Sequence, residues 1–242
     1  QVVGEVPFDV TDYFKSPEHA NIITITGKDT NGKLAVDTSV KDKAIWYLGG
    51  ALHFENIELA LGKNNLSFYA EFNDLFFLEG VNVTGDTRLS VRCVGSSTEK
   101  YFDGFAYTAN SKIVALSGKF MDIAIFAQNG TKGNLNGDVT LLFGGTAVAN
   151  NITCCRNAWG SVTNASIYID GGIIERFVGY TDRSKANMDT KGMYIGAQGD
   201  FTITVTDNFD PTASFTIPVN GVQAGFSGSS VYTEGASELI SS

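Results

Sequence analysis

The sequence predicts an all-β fold, a single-stranded right-handed parallel β-helix with an N-terminal cap and an irregular C-terminal tail. Three observations predict it. A short apolar run ending in glycine recurs at residues 45–50, 75–80, 113–118, 140–145 and 167–172. Its last three glycines, Gly118, Gly145 and Gly172, are spaced by 27 and 27 residues, and a fainter copy ends at Gly199, 27 further on. Strand–turn units at a fixed spacing bury a face only by stacking on the next unit. Finally, 27 Gly against 4 Pro fits many short strands joined by tight turns. No long segment shows a capped helical period.

The elements follow in order. Residues 1–20 lack the repeat and are expected to cap the first coil. Within them Ser16-Pro17-Glu18-His19-Ala20 reads as a short helical turn, with Ser16 as N-cap and Pro17 at the first position. Coils are expected over 21–205. Beyond the recurring runs, strands are expected at 22–26, 34–36, 52–59, 66–70, 81–83, 89–94, 123–126, 174–178 and 201–205. These are rich in β-branched and aromatic residues and bounded by Gly, Asn or Asp. The spacing stretches to 38 between Gly80 and Gly118, which places an aromatic loop at 96–110 on one coil. Residues 206–242 are expected to form a C-terminal strand, at 213–219, and a loose tail. The whole chain is one domain.

Charge narrows the partners. The net charge is −9 without a charged block, which repels phosphate and argues against nucleic acid and anionic membranes. No secretory leader, membrane-length apolar span or lipidation motif is present in the sequence. The three cysteines, Cys93, Cys154 and Cys155, are an odd count with an adjacent pair, so they read as small buried hydrophobes. With only His19 and His53 and no CxxC, no metal centre of Cys/His type is expected.

The recurring runs are apolar at successive positions, so both faces of their sheet carry apolar side chains. One face is the core. The other is either covered, by the tail or the 96–110 loop, or it is an aromatic platform. A platform suits sugars, whose C–H faces stack on rings while neighbouring polar groups bond the hydroxyls. The candidate ligand-binding residues are Trp46, Trp159, Tyr101, Phe105, Tyr107, Tyr168 and Tyr180, with Asn157, Gln128 and Asp103 selecting hydroxyls. Trp159 follows Arg156-Asn157-Ala158 and precedes Gly160-Ser161, which is turn chemistry.

Catalysis finds less support. Asp103, Asp122, Asp138, Asp170 and Asp200 do not cluster in sequence register, and no pair of carboxyls facing one bond can be nominated. No Ser/His/Asp order, phosphate loop or zinc motif occurs. No catalytic residue and no cofactor is expected; Ca²⁺ would enter only if the chain were a lyase.

The residues Lys119-Phe120-Met121-Asp122-Ile123, then Asn134-Leu135-Asn136-Gly137-Asp138-Val139-Thr140, Gly144-Gly145 and 162–172 resemble the coils of repetitive β-helical surface proteins of gut and rumen Firmicutes. The resemblance covers residues 45–180. It departs where Ile125-Phe126-Ala127 and Thr153-Cys154-Cys155 replace that family's Tyr-Gly-Gly turn. Proteins of this kind in cellulose-degrading Ruminococcus are often cellulosome-associated. The resemblance implies an extracellular, bacterial, non-catalytic carbohydrate-binding module within a larger multimodular protein. Its implied ligand is a neutral plant cell-wall polysaccharide, a β-glucan such as xyloglucan. The alternatives are a β-helical polysaccharide lyase or hydrolase, and a structural stalk or adhesin segment.

Overall fold

Alternating burial sets the inner and outer sides of every strand in the computed structural model, which describes residues 1–8, 14–28, 32–36, 43–63, 65–94, 110–127, 132–134, 137–153, 159–162, 164–178, 196–197, 201–210 and 229–233. Glu5–Phe8 (β1), Lys33–Val36 (β4), Glu58–Gly62 (β7) and Asn82–Gly85 (β10) form a four-stranded sheet in that order. A 13-stranded sheet begins with Phe14–Lys15 (β2), Lys43–Tyr47 (β5), Asn65–Tyr69 (β8), Leu89–Val94 (β11) and Lys119–Ala127 (β13). It continues through Asp138–Thr153 (β15) to Ser111–Ala115 (β12), Leu75–Phe77 (β9), Leu52–Glu55 (β6) and Ile23–Thr26 (β3). Asn164–Val178 (β17) pairs with β15, followed by Phe201–Val205 (β19) and Ser229–Thr233 (β20). Lys132–Asn134 (β14), Trp159–Val162 (β16) and Gly196–Ala197 (β18) make a three-stranded sheet. All pairings between these strands are parallel.

The single-stranded right-handed β-helix is therefore corrected. The chain is all-β and parallel, but its strands lie in two principal sheets curled into a half-barrel. The reason lies at the glycines. Gly144-Gly145 and Gly171-Gly172 were expected to end strands in turns. Instead β15 and β17 run straight through them, 16 and 15 residues long. The register slips between Gly145 and Val148, a bulge that bends the strand without ending it. The first half of β15 pairs with β12 and its second half with β13, which joins two strand series into one curved sheet.

Two local expectations change with it. Residues 45–48 do not share a row with 75–78: Trp46 is in register with Phe68, whereas Leu75 pairs with Leu52 and Ile113. Gly145 pairs with Gly171, one residue short of the 27-residue period. Residues 16–20 form no helical turn; Ser16 Oγ accepts from Gly49 N–H at 2.7 Å and donates to Tyr47 O at 3.2 Å, beside the strand end. The expected strand at 213–219 and the 96–109 part of the aromatic loop lie outside the described residues.

Inward rows fill the half-barrel. Trp46, Phe54, Phe68, Phe77 and Phe120 form a chain of ring contacts at its centre: Trp46–Phe68 at 5.3 Å, Phe54–Phe68 at 5.5 Å, Phe54–Phe77 at 5.4 Å and Phe77–Phe120 at 5.1 Å. Edge-to-face and offset packing of this kind adds to the area term. Cys93 is buried, and burial pushes its thiol up to about 12.

Candidate outer-face binding site

The outer face of the strand series β3-β6-β9-β12-β15-β17-β19 is the candidate surface, because ring and polar side chains line up on it. Because side chains alternate, the core row Ile25, Phe54, Phe77, Ala115, Phe143, Ile169 and Val205 has an outward row one residue earlier on each strand. That row is Thr24, His53, Phe76, Val114, Leu142, Tyr168 and Thr204, all in parallel register. With neighbouring strands about 4.8 Å apart, it runs about 29 Å across the sheet. His53, Phe76 and Leu142 are half-buried, Val114 is buried, and Tyr168 is 42% exposed.

The row has polar borders. Two residues before its members from Phe76 to Thr204 stand Asp74, Lys112, Thr140, Ser166 and Thr202, the last four in register, whereas Ile22 and Ala51 precede Thr24 and His53. Asp74 Oδ1 accepts from Lys112 N–H at 2.9 Å, and Lys112 Nζ lies 5.8 Å from the Phe76 ring centre. At that distance the cation is held on the face of the ring quadrupole. The His53 imidazole stacks flat on Phe76, with centroids 4.1 Å apart and planes 9° apart. Burial lowers the His53 pKa, with the Asp74 carboxylate acting the other way. Since the usual value is already about 6.5, His53 is neutral at neutral pH. The stacked rings of the row are thus a neutral pair.

The acidic residues near this face are engaged in the fold. Asp138 Oδ1 accepts from Asn164 Nδ2 at 2.8 Å, and Asp138 N–H donates to Asn110 Oδ1 at 3.0 Å. Asp170 Oδ1 accepts from Thr206 Oγ1 and, at 2.9 Å, from Asn208 Nδ2. Asp122 is buried on another part of the sheet, 2.6 Å from Arg92 Nη1. Among the described residues, no group of three or more His, Cys, Asp or Glu is placed to hold a metal ion.

A second concavity, a groove of about 450 Å³, follows the corner between the two principal sheets. Lys28, Asn56, Glu58 and Asn82 line it. Its Glu58 carboxylate accepts from Thr84 Oγ1 at 2.7 Å and lies 4.0 Å from Lys33 Nζ.

The residues nominated from sequence separate widely. Tyr168 stands in the outer row. Trp46 is only 6% exposed and packs between Phe8 and Phe68, so it offers no face to a ligand. The sequence left the phase of residues 45–48 open, and the structure turns Trp46 inward. Trp159 begins β16, where its backbone is in register with Lys132, rather than sitting in a turn. Tyr101, Asp103, Phe105, Tyr107, Gln128, Asn157 and Tyr180 lie outside the described residues. Sequence reasoning missed His53, Phe76 and Lys112 as a unit. The signal was present in Leu75-Phe76-Phe77, where consecutive aromatics on a strand must face opposite ways.

No protein-family model, no curated protein and no solved structure matches this chain.

Proposed function

We propose that the chain is a non-catalytic carbohydrate-binding module for a neutral plant cell-wall polysaccharide of the β-glucan or xyloglucan type. It would work outside a bacterial cell as part of a larger multimodular protein. The observation that carries this reading is the outward row from His53 to Tyr168. Rings and apolar side chains form its centre, and hydroxyls border it at Thr140, Ser166 and Thr202. A pyranose has the matching chemistry, with an apolar C–H face and equatorial hydroxyls that need partners. The exposed Tyr168 ring would take a sugar face, the edges of the mutually stacked His53 and Phe76 rings would make apolar contact beside it, and the bordering hydroxyls would bond the sugar edges.

Affinity electrophoresis against soluble plant polysaccharides, with and without EDTA, tests the reading. The expected result is retardation by a neutral glucan that EDTA does not change, with no new reducing ends and no unsaturated products. An aromatic contact contributes about 0.5–1.5 kcal/mol, so Tyr168→Ala should weaken binding by about two- to tenfold with the fold unchanged by circular dichroism. Product formation would overturn the non-catalytic reading, and the absence of retardation by any polysaccharide would overturn glycan binding.

A further inference from the structure

His53 is the one imidazole of the outer row, and its surroundings suit its uncharged form. One face of the ring lies flat on Phe76, with centroids 4.1 Å apart and planes 9° apart. Its Nε2 is buried and has no hydrogen-bond partner among the described residues. In the sheet β9 lies between β6 and β12. His53 and Lys112 therefore reach the Phe76 ring from opposite sides, with Lys112 Nζ 5.8 Å from its centre.

These contacts decide what a second proton does to the ring. An imidazolium is a donor at both nitrogens, so the charged form would hold a buried Nε2–H with nothing to accept it. A lone cation would gain from the quadrupole of the Phe76 ring. Here the other side of the same ring already carries the Lys112 ammonium, and two like charges would share it. Around His53 stand Glu55 on its own strand, Asp74 before and Glu79 after β9, Lys112 on β12 and His19 against Gly50 at the start of β6. From β3 only Thr24 and Thr26 come to this face. Burial outweighs the pull of the Asp74 carboxylate, so the folded protein binds this proton more weakly than the unfolded chain does. The stabilisation from the neutral stack is complete above the unfolded value of about 6.5 and is lost as the pH falls through the lower folded value.

We propose that His53 is an acid switch on the outer face: a proton on the imidazole releases it from Phe76 into solvent and removes an apolar contact from the row, so that glycan binding weakens in acid. The effect on binding rests on the reading of this face as a glycan site; the opening of the stack does not.

Proton NMR tests the stack, and affinity electrophoresis on soluble xyloglucan tests its consequence. The chain has only two histidines, so His19→Gln assigns the imidazole signals. The His53 ring protons should show the upfield shift of a stacked ring at about pH 7, titrate with a midpoint below about 6.5 and lose that shift on protonation. Retardation by xyloglucan should weaken about two- to threefold over the same range. His53→Phe, which stacks without titrating, should bind alike at both ends of it. His53→Gln, which cannot stack at any pH, should bind at neutral pH as weakly as the unaltered protein does in acid. A protonated His53 that keeps its upfield shift, or a midpoint at or above about 6.5, would overturn the switch. So would a loss of retardation in acid that His53→Phe shares. Unstacking in acid with no polysaccharide bound at any pH would uphold the switch in the ring pair and overturn the glycan reading instead.

Discussion

Asp122 and Arg92 form a buried ion pair, with Arg92 Nη1 2.6 Å from Asp122 Oδ2 and also 3.1 Å from Val91 O, to which it donates. Arg92 Nε has no hydrogen-bond partner, so the guanidinium relies on few contacts for the loss of water. Removing one partner leaves the other charge buried alone, which costs about 3–5 kcal/mol, whereas apolar replacement of both can be nearly neutral. Asp122→Asn should therefore lower the urea midpoint strongly, and Arg92→Met with Asp122→Leu should restore most of it; equal losses in the two proteins would mean that the pair itself is net stabilising. This pair was not legible in the sequence. Asp122 stood out only as one of several acids, because its partner lies thirty residues earlier and on another strand. Tyr168 was named among the candidate rings, but its outward phase was not legible, because the runs are apolar on both faces. Trp46 was named on the same footing and proves to be core, because an aromatic residue carries no mark of whether its strand phase is inward or outward.

At the level of elements, the glycines decide how the strands behave. Gly145 has φ +57°, and a Cβ there would lie 2.3 Å from Leu116 O. Both the left-handed conformation and the contact with backbone exclude a side chain. Gly145→Ala should cost about 1–3 kcal/mol from conformation alone, and more from the clash, read as a drop in unfolding midpoint. Gly144→Ala, at ordinary φ and 3.0 Å from Asp170 O, should cost less. Equal effects would show that the bend in β15 does not depend on left-handed backbone. The strand positions themselves were largely readable: 22–26, 34–36, 66–70, 89–94 and 201–205 each coincide with a strand to within a residue or two. Their continuity was not. Glycine has the same letter in a turn and in a bulge, and only the partner strands on either side, β12 and β13 against β15, determine which one forms.

At the scale of the molecule, the parallel all-β character was legible, because runs apolar on both faces suit parallel sheets. The joining of the strand series into one curled sheet was not, since it depends on contacts between strands remote in sequence. Charge, by contrast, is read directly from the sequence and bears on function. The chain carries a net charge of −9, and the ring pair of the outer row is neutral. A neutral polysaccharide bound through ring stacking and hydroxyl contacts would neither gain nor lose Coulomb energy on approach. An acidic polysaccharide would be repelled, and the repulsion would weaken as the screening length falls from about 10 Å at 0.1 M salt to about 3 Å at 1 M. Affinity for a neutral glucan should therefore stay nearly constant between these salt concentrations, by calorimetry or electrophoretic retardation, and any acidic glycan should bind better at the higher one. Affinity that falls steeply with salt would point instead to a polyanion held by local cations such as Lys112, and would remove the neutral ring row from its proposed role.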